Sequence, residues 1–217
     1  MAALKGAFLK FGAGLLGGLP NIVVFQFNPT QVSRTPSITR RPQSSGSAGS
    51  SDARQQPSPP TESMSFTLRI DATEQLAQSN PLAAASGILP TLSALELLMV
   101  PKSSLSIKLA ALSGGPGPCQ VSPFSLPTVL FFWGPTRILP VTINSLSVTE
   151  TEYDTLLNPI RADVAVSLQV LQSGQLAGDK LGNAAYTYSQ GVKEVMAALN
   201  LANAVQFGVS ASLSFSL

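Results

Sequence analysis

Hydrophobic and polar residues alternate with a period of two over several stretches of the chain. Val23, Phe25 and Phe27 alternate with Ile22, Val24 and Gln26, and Met64, Phe66, Leu68 and Ile70 alternate with Ser65, Thr67, Arg69 and Asp71. This period predicts strands with one buried face. Ala7 to Phe11 precede the first stretch across a glycine-rich turn, which predicts a hairpin-like start. Three further strands are expected at Val129–Trp133, Leu139–Tyr153 and Ile160–Leu171. In the last, Ile160, Ala162, Val164, Val166, Leu168 and Val170 share one face, while Arg161, Asp163, Ser167 and Gln169 share the other. In the middle one the apolar phase moves from Val141 and Ile143 to Leu146 and Val148, which predicts a β-bulge at Asn144–Ser145. The expected core comprises Phe25, Phe27, Phe66, Leu68, Trp133, Val164, Val166 and Leu168.

The period changes twice. From Leu89 to Val100, Ile88, Leu92, Leu95 and Met99 form one helical stripe that Leu97 and Leu98 widen, with Pro90 suited to a first turn and Pro101 to a stop. A helix apolar on so many sides is expected to be buried across the mouth or flank of a sheet. A second helix is expected from about Ala184 to Val205, with Tyr188, Val192, Val195, Met196 and Leu199 on one stripe. Beyond it, Phe207, Val209, Ala211, Leu213, Phe215 and Leu217 alternate with glycine and serines, which predicts a terminal strand that pairs with an exposed sheet edge.

Residues 36–62 hold five prolines and seven serines and almost no apolar side chains. Burial there cannot offset ordering entropy, so an arm between the second and third strands is expected. Residues 113–127 read as a loop. The organisation predicted is a β domain over 1–172, containing the arm, followed by a helix-and-strand extension over 173–217.

Only 11% of the 217 residues are charged, against roughly 25% in ordinary domains. The net charge is +2, yet Arg34, Arg40, Arg41 and Arg54 against Asp52 give residues 34–54 a charge of +3. The remainder carries no basic face, which argues against a nucleic-acid partner. There is no histidine, which removes the commonest general base and metal ligand. A single cysteine, Cys119, forms neither an intrachain disulfide nor a zinc site. The N-terminal apolar stretch is broken by Lys5, Lys10 and five glycines, unlike a signal peptide, and no membrane insertion is expected.

Gly12-Ala-Gly14-Leu-Leu-Gly17 matches a dinucleotide fingerprint in letters only. It leads through Pro20 into a strand, and the first acidic residue is Asp52. Glu150, Glu152 and Asp154, two residues apart on a strand, are placed by spacing on one face, as part of an oxygen-rich cation site, as a solvated strand end, or as charges for a neighbouring subunit. Neither a catalytic motif nor a need for a cofactor or metal is found, and an enzyme is not expected.

Four longer strings carry a resemblance: Ile22-Val-Val-Phe-Gln-Phe-Asn-Pro29, Leu89-Pro-Thr-Leu-Ser-Ala-Leu-Glu-Leu-Leu98, Val129-Leu-Phe-Phe-Trp-Gly134, and Pro140-Val-Thr-Ile-Asn-Ser-Leu-Ser-Val-Thr-Glu150 running into Leu157-Asn-Pro-Ile-Arg-Ala162. In order and spacing they resemble the tube-protein domain of contractile injection systems, the adaptors or tube initiators of phage-tail-like particles. The resemblance implies a mainly β, tail-tube-like antiparallel barrel or sandwich with a flanking helix. It also implies a hexameric ring around a lumen between spike and inner tube, with baseplate components nearby, assembled in the bacterial cytoplasm. Many family members carry a C-terminal LysM module, where these residues have the second helix and the serine-alternating strand. Inter-subunit contacts are then expected from Arg34, Arg40, Arg41 and Arg54, from Glu150, Glu152 and Asp154, and from Phe207, Val209, Leu213 and Phe215. Two alternatives are an ordinary stacked inner-tube subunit and a secreted β-sandwich module that binds carbohydrate or a cell surface.

Overall fold

A computed structural model describes residues 4–11, 21–38, 60–100, 128–176 and 178–206, with side chains as far as 201. Most of the expected arm, the 113–127 loop, Cys119, the glycine motif and the terminal strand lie outside the described residues.

The protein is mainly β. Seven strands, β1 (Ala7–Lys10), β2 (Asn21–Val24), β3 (Val32–Ser37), β4 (Thr61–Asp71), β5 (Val129–Phe132), β6 (Ile138–Tyr153) and β7 (Pro159–Val170), form one antiparallel sheet in the order β2-β1-β5-β6-β7-β4-β3. Helices α1 (Thr73–Ala77), α2 (Pro81–Ser86) and α3 (Leu89–Met99) separate β4 from β5, and α4 (Lys180–Gln206) follows β7.

The sheet curls strongly. In a flat sheet, β1 and β4 would stand four strand spacings apart, about 19 Å. Instead the rings of Phe8 on β1 and Phe66 on β4 have centroids 6.2 Å apart. Phe25 and Phe131 complete the cluster, 6.0 and 5.4 Å from Phe66. Alternation explains this interior: Met64, Phe66, Leu68 and Ile70 of β4 meet Ala162, Val164, Val166 and Leu168 of β7 in register, all buried. Leu92, Leu95 and Leu98 of α3 close one side of the core. Lys10 fixes that helix by donating to the carbonyls of Leu97 and Val100 at its C-terminal end, where the helix dipole favours a cation.

The curl does not close into a barrel by hydrogen bonding, because among the described residues no ladder joins β2 to β3 or β4. Pro36 on the edge strand β3 has no N–H to offer, and β3 accompanies β4 only as far as Phe66. Beyond it, a side chain substitutes for a strand. Gln26 donates from Nε2 to the Asp71 carbonyl (2.6 Å) and accepts from the Asp71 N–H at Oε1 (2.9 Å).

Four sequence expectations need correction. β3 and the first residues of β4 occupy both ends of the stretch read as an arm: Pro36 pairs with Glu62 and Ser37 with Thr61. Phe27 does not point inward but is 49% exposed, because β2 ends at Val24 and the strand alternation ends with it. Trp133 is half-buried, stacked on Phe131 at 5.9 Å. The short helices α1 and α2 were not anticipated, although Asn80 caps α2 by accepting from Leu82 N–H (3.0 Å), with Pro81 in the first turn. The bulge at Asn144–Ser145 is present as a register shift between Ile143 and Ser145.

Candidate functional site

Strand register assembles a surface that no local stretch of sequence contains. Ser33 of β3 stands opposite Ser65 of β4, Ser65 opposite Ser167 of β7, and Ser167 opposite Ser145 of β6. This serine row crosses four strands on the face opposite the core. The next row is Thr67, Ala165 and Ser147, and on the other side lie Thr35, Ser63, Gln169 and Thr142. A shallow depression of about 510 Å³ follows the serine row and the Thr67–Ala165–Ser147 row, walled by Thr30 and Gln31.

None of its lining residues is titratable. A serine hydroxyl becomes a nucleophile through a neighbouring base or a lowered pKa, and among the described residues lining the depression there is no such base. The surface offers neutral donors and acceptors on short side chains.

Charges gather instead at one end of the sheet and are spent within the chain. Arg161 bonds Asp71 through Nε (2.8 Å) and Glu152 through Nη1. Arg69 pairs with Asp163 at 3.1 Å. Burial pushes the Asp71 carboxyl up, but hydrogen bonds from Thr73 and Arg161 outweigh it and hold the group below its ordinary range.

Glu150, Glu152 and Asp154 do not form a common face. The register slips between Glu150 and Glu152 and again before Tyr153, so spacing in the chain no longer means spacing on the sheet. Glu150 bonds the Tyr153 hydroxyl, raising its pKa. Glu152 turns to Arg161. Asp154 organises the β6–β7 turn, accepting from the N–H groups of Leu156 (2.7 Å) and Asn158 (2.8 Å) and from Asn158 Nδ2 (2.8 Å), which lowers its pKa. Among the described residues no group of three or more metal-ligating side chains comes together.

Arg34, on β3, donates to Glu62 through Nε at 2.6 Å. Lys193 of α4 reaches the other oxygen of the same carboxylate at 3.2 Å. Burial raises the pKa of Glu62, but its bond to Arg34 and the charges of Lys193 and Arg34 outweigh this, and the net shift is downward. This node ties β3, β4 and α4 together. Sequence reasoning missed it, although Glu62 shares the parity of Met64 and Phe66 and so signalled a buried acid. Arg40, Arg41, Arg54, Phe207, Val209, Leu213 and Phe215 lie outside the described residues.

A second cavity, of about 290 Å³, lies at the seam between β2 and β4, among Val23, Phe25, Gln26, Leu68, Ile70 and Leu95. Among the described residues no helix is long and apolar enough to cross a membrane. Compared with models of known protein families and with curated protein sequences, the chain matches none of them.

Proposed function

We propose that this protein is a structural ring component of a contractile injection system, the adaptor or tube initiator that joins the baseplate spike to the inner tube. The observation that carries the reading is the uncharged Ser/Thr surface in register over four strands. A hexamer that turned this face inward would line its lumen with short neutral side chains, past which cargo moves without ionic capture. The sheet edges β2 and β3, unpaired among the described residues, support the same reading, because edge strands are where subunits join their sheets. The four strings that carry the resemblance also fall on the parts that shape the subunit. They correspond to the β2 segment with Gln26, to α3, to β5 with Trp133, and to the β6–β7 hairpin. Among the described residues lining the depression the serines have no base beside them, which supports a structural role over catalysis.

Native mass spectrometry of the purified chain, with negative-stain images of particles that contain it, tests the proposal. A closed hexamer is expected, and a stable monomer within intact particles would refute it. Copy number separates the initiator, in one ring, from a stacked tube subunit, in many. The carbohydrate-binding alternative loses its natural platform, since Trp133 is engaged with Phe131 and Phe25 at 5.9 and 6.4 Å.

A further inference from the structure

Two apolar surfaces are left wholly or partly uncovered by the described residues. The first is on the sheet. Facing away from the core, Ile22, Leu9, Leu130 and Pro140 form a row across β2, β1, β5 and β6, and Val24, Ala7, Phe132 and Ile138 form the next. A strand with apolar residues on both faces is one whose two faces are both packed. Pro140 and Leu130 are buried, Leu9 is half-buried, and Ile22 and Val24 are 51% and 55% exposed. Cover therefore fades from β6 to β2.

The second surface is on α4. The first part of this helix lies along β6, and its small residues Gly182, Ala185 and Ser189 are buried there. Val192, Val195, Met196 and Leu199 then follow at i, i+3, i+4 and i+7, one stripe of a helix. Val192 is half-buried, but Val195, Met196 and Leu199 are exposed, as is every residue from Lys193 to Leu201. Past the Lys193–Glu62 bond, α4 runs on to Gln206, about 20 Å of helix at 1.5 Å per residue.

We propose that the Val195–Leu199 stripe of one copy packs on the outer face of β1 and β2 of a second copy of this chain. The proposal deepens the ring reading and rests on it. The two surfaces match in chemistry, since neither stripe nor strand face includes a charged side chain. Laying a helix along this sheet is also what the chain already does with the first part of α4. The contact is head to tail, the type that closes rings. Two stripes pairing symmetrically would bury the helices but leave Ile22 and Val24 bare in both copies.

Disulfide trapping in the full chain tests this. Cys119→Ser removes the native thiol, Met196→Cys is placed in one preparation and Val24→Cys in another, and circular dichroism melts verify folding at these exposed positions. Oxidation of the mixture is expected to yield a cross-linked pair, and oxidation of either preparation alone none. Val195→Asp is expected to raise the dissociation constant about tenfold or more. Cross-linking of the Met196→Cys chain to itself overturns the docking in favour of a symmetric helix pair. Closed rings in native mass spectrometry without the mixed cross-link overturn the docking and leave the ring reading standing. Monomer at all concentrations overturns both.

Discussion

Replacing Phe66 with alanine probes the curl of the sheet at its centre. The side chain is 6% exposed, and the ring centroids of Phe131, Phe25 and Phe8 lie 5.4, 6.0 and 6.2 Å from its own. None of the three rings comes from a strand adjacent to β4. Removing the ring opens a void between walls that the sheet itself holds apart, so little collapse is available to fill it. A buried Phe→Ala change costs about 3–5 kcal/mol, as transfer plus cavity, and poor collapse points to the upper half of that range. The control is Phe27→Ala, at 49% exposure, which should cost about 1 kcal/mol or less. Urea titration reads both as shifts in midpoint at unchanged slope. Small domains hold only about 5–15 kcal/mol in total, so Phe66→Leu, expected to lose about 1–2 kcal/mol, keeps the experiment readable if the alanine variant barely folds. A loss below about 1.5 kcal/mol for Phe66→Ala, or an equal loss for Phe27→Ala, would show that the ring cluster is not the closing contact and that the β4 register is displaced by one residue.

Three further outcomes are expected. Gly87 has φ +55°, and a Cβ there would sit 2.1 Å from the Pro159 carbonyl oxygen, so Gly87→Ala should cost about 2–4 kcal/mol; a loss under about 1 kcal/mol would mean that the α2–α3 turn does not press on β7. Leu157, at φ +64° and 80% exposed on the β6–β7 turn, should stabilise the protein by about 1 kcal/mol when changed to glycine, and a lower melting temperature would contradict the strain. Glu62 and Asp71 have pKa values held below their ordinary 4.5 and 3.8. Their contribution is therefore complete above those values and is lost as pH falls through the lower, folded-state values. The acid limb of a stability–pH curve should move to lower pH and flatten in Glu62→Gln, with about 1–2 kcal/mol lost at pH 7; an unchanged curve would remove the Arg34–Glu62–Lys193 node from the account.

What the sequence made legible follows from where burial acts. β4 from Met64 and β7 from Ala162 could be read at single-residue level because each alternates there across a face that is buried throughout. β3 could not, since only Val32 is even half-buried and Pro36 sits within it; backbone pairing to β4 holds it, and pairing leaves no hydrophobic period. Phe27 was misread because the letters go on alternating after the ladder stops at Val24. There the amides of Gln26 and Asn28 take over, the first on Asp71 and the second on Gly6 N–H and the Leu4 carbonyl. The carboxylates at 150, 152 and 154 were misread for the opposite reason, because the ladder continues while two register slips break its period.

The division of the outer face lies deeper than any of these, since each strand contributes one residue to a row. Ser33, Ser65, Ser145 and Ser167 are separated by 22 to 134 positions in sequence yet stand side by side on four strands, as do Ile22, Leu9, Leu130 and Pro140 on the other half. No window of sequence holds either row; only the strand order and register bring them together. The same curl that buries the aromatic core thus sorts the outside into a neutral polar half, bounded at one end by the Arg69–Asp163 and Arg161–Asp71 pairs, and an apolar half. A subunit with those two halves presents one surface on which little sticks and one that calls for cover. In a closed ring the two demands are compatible: the apolar half meets a neighbour while the serine half faces the opening. In an isolated monomer, the exposed Ile22, Val24 and α4 stripe would be a standing liability to aggregation.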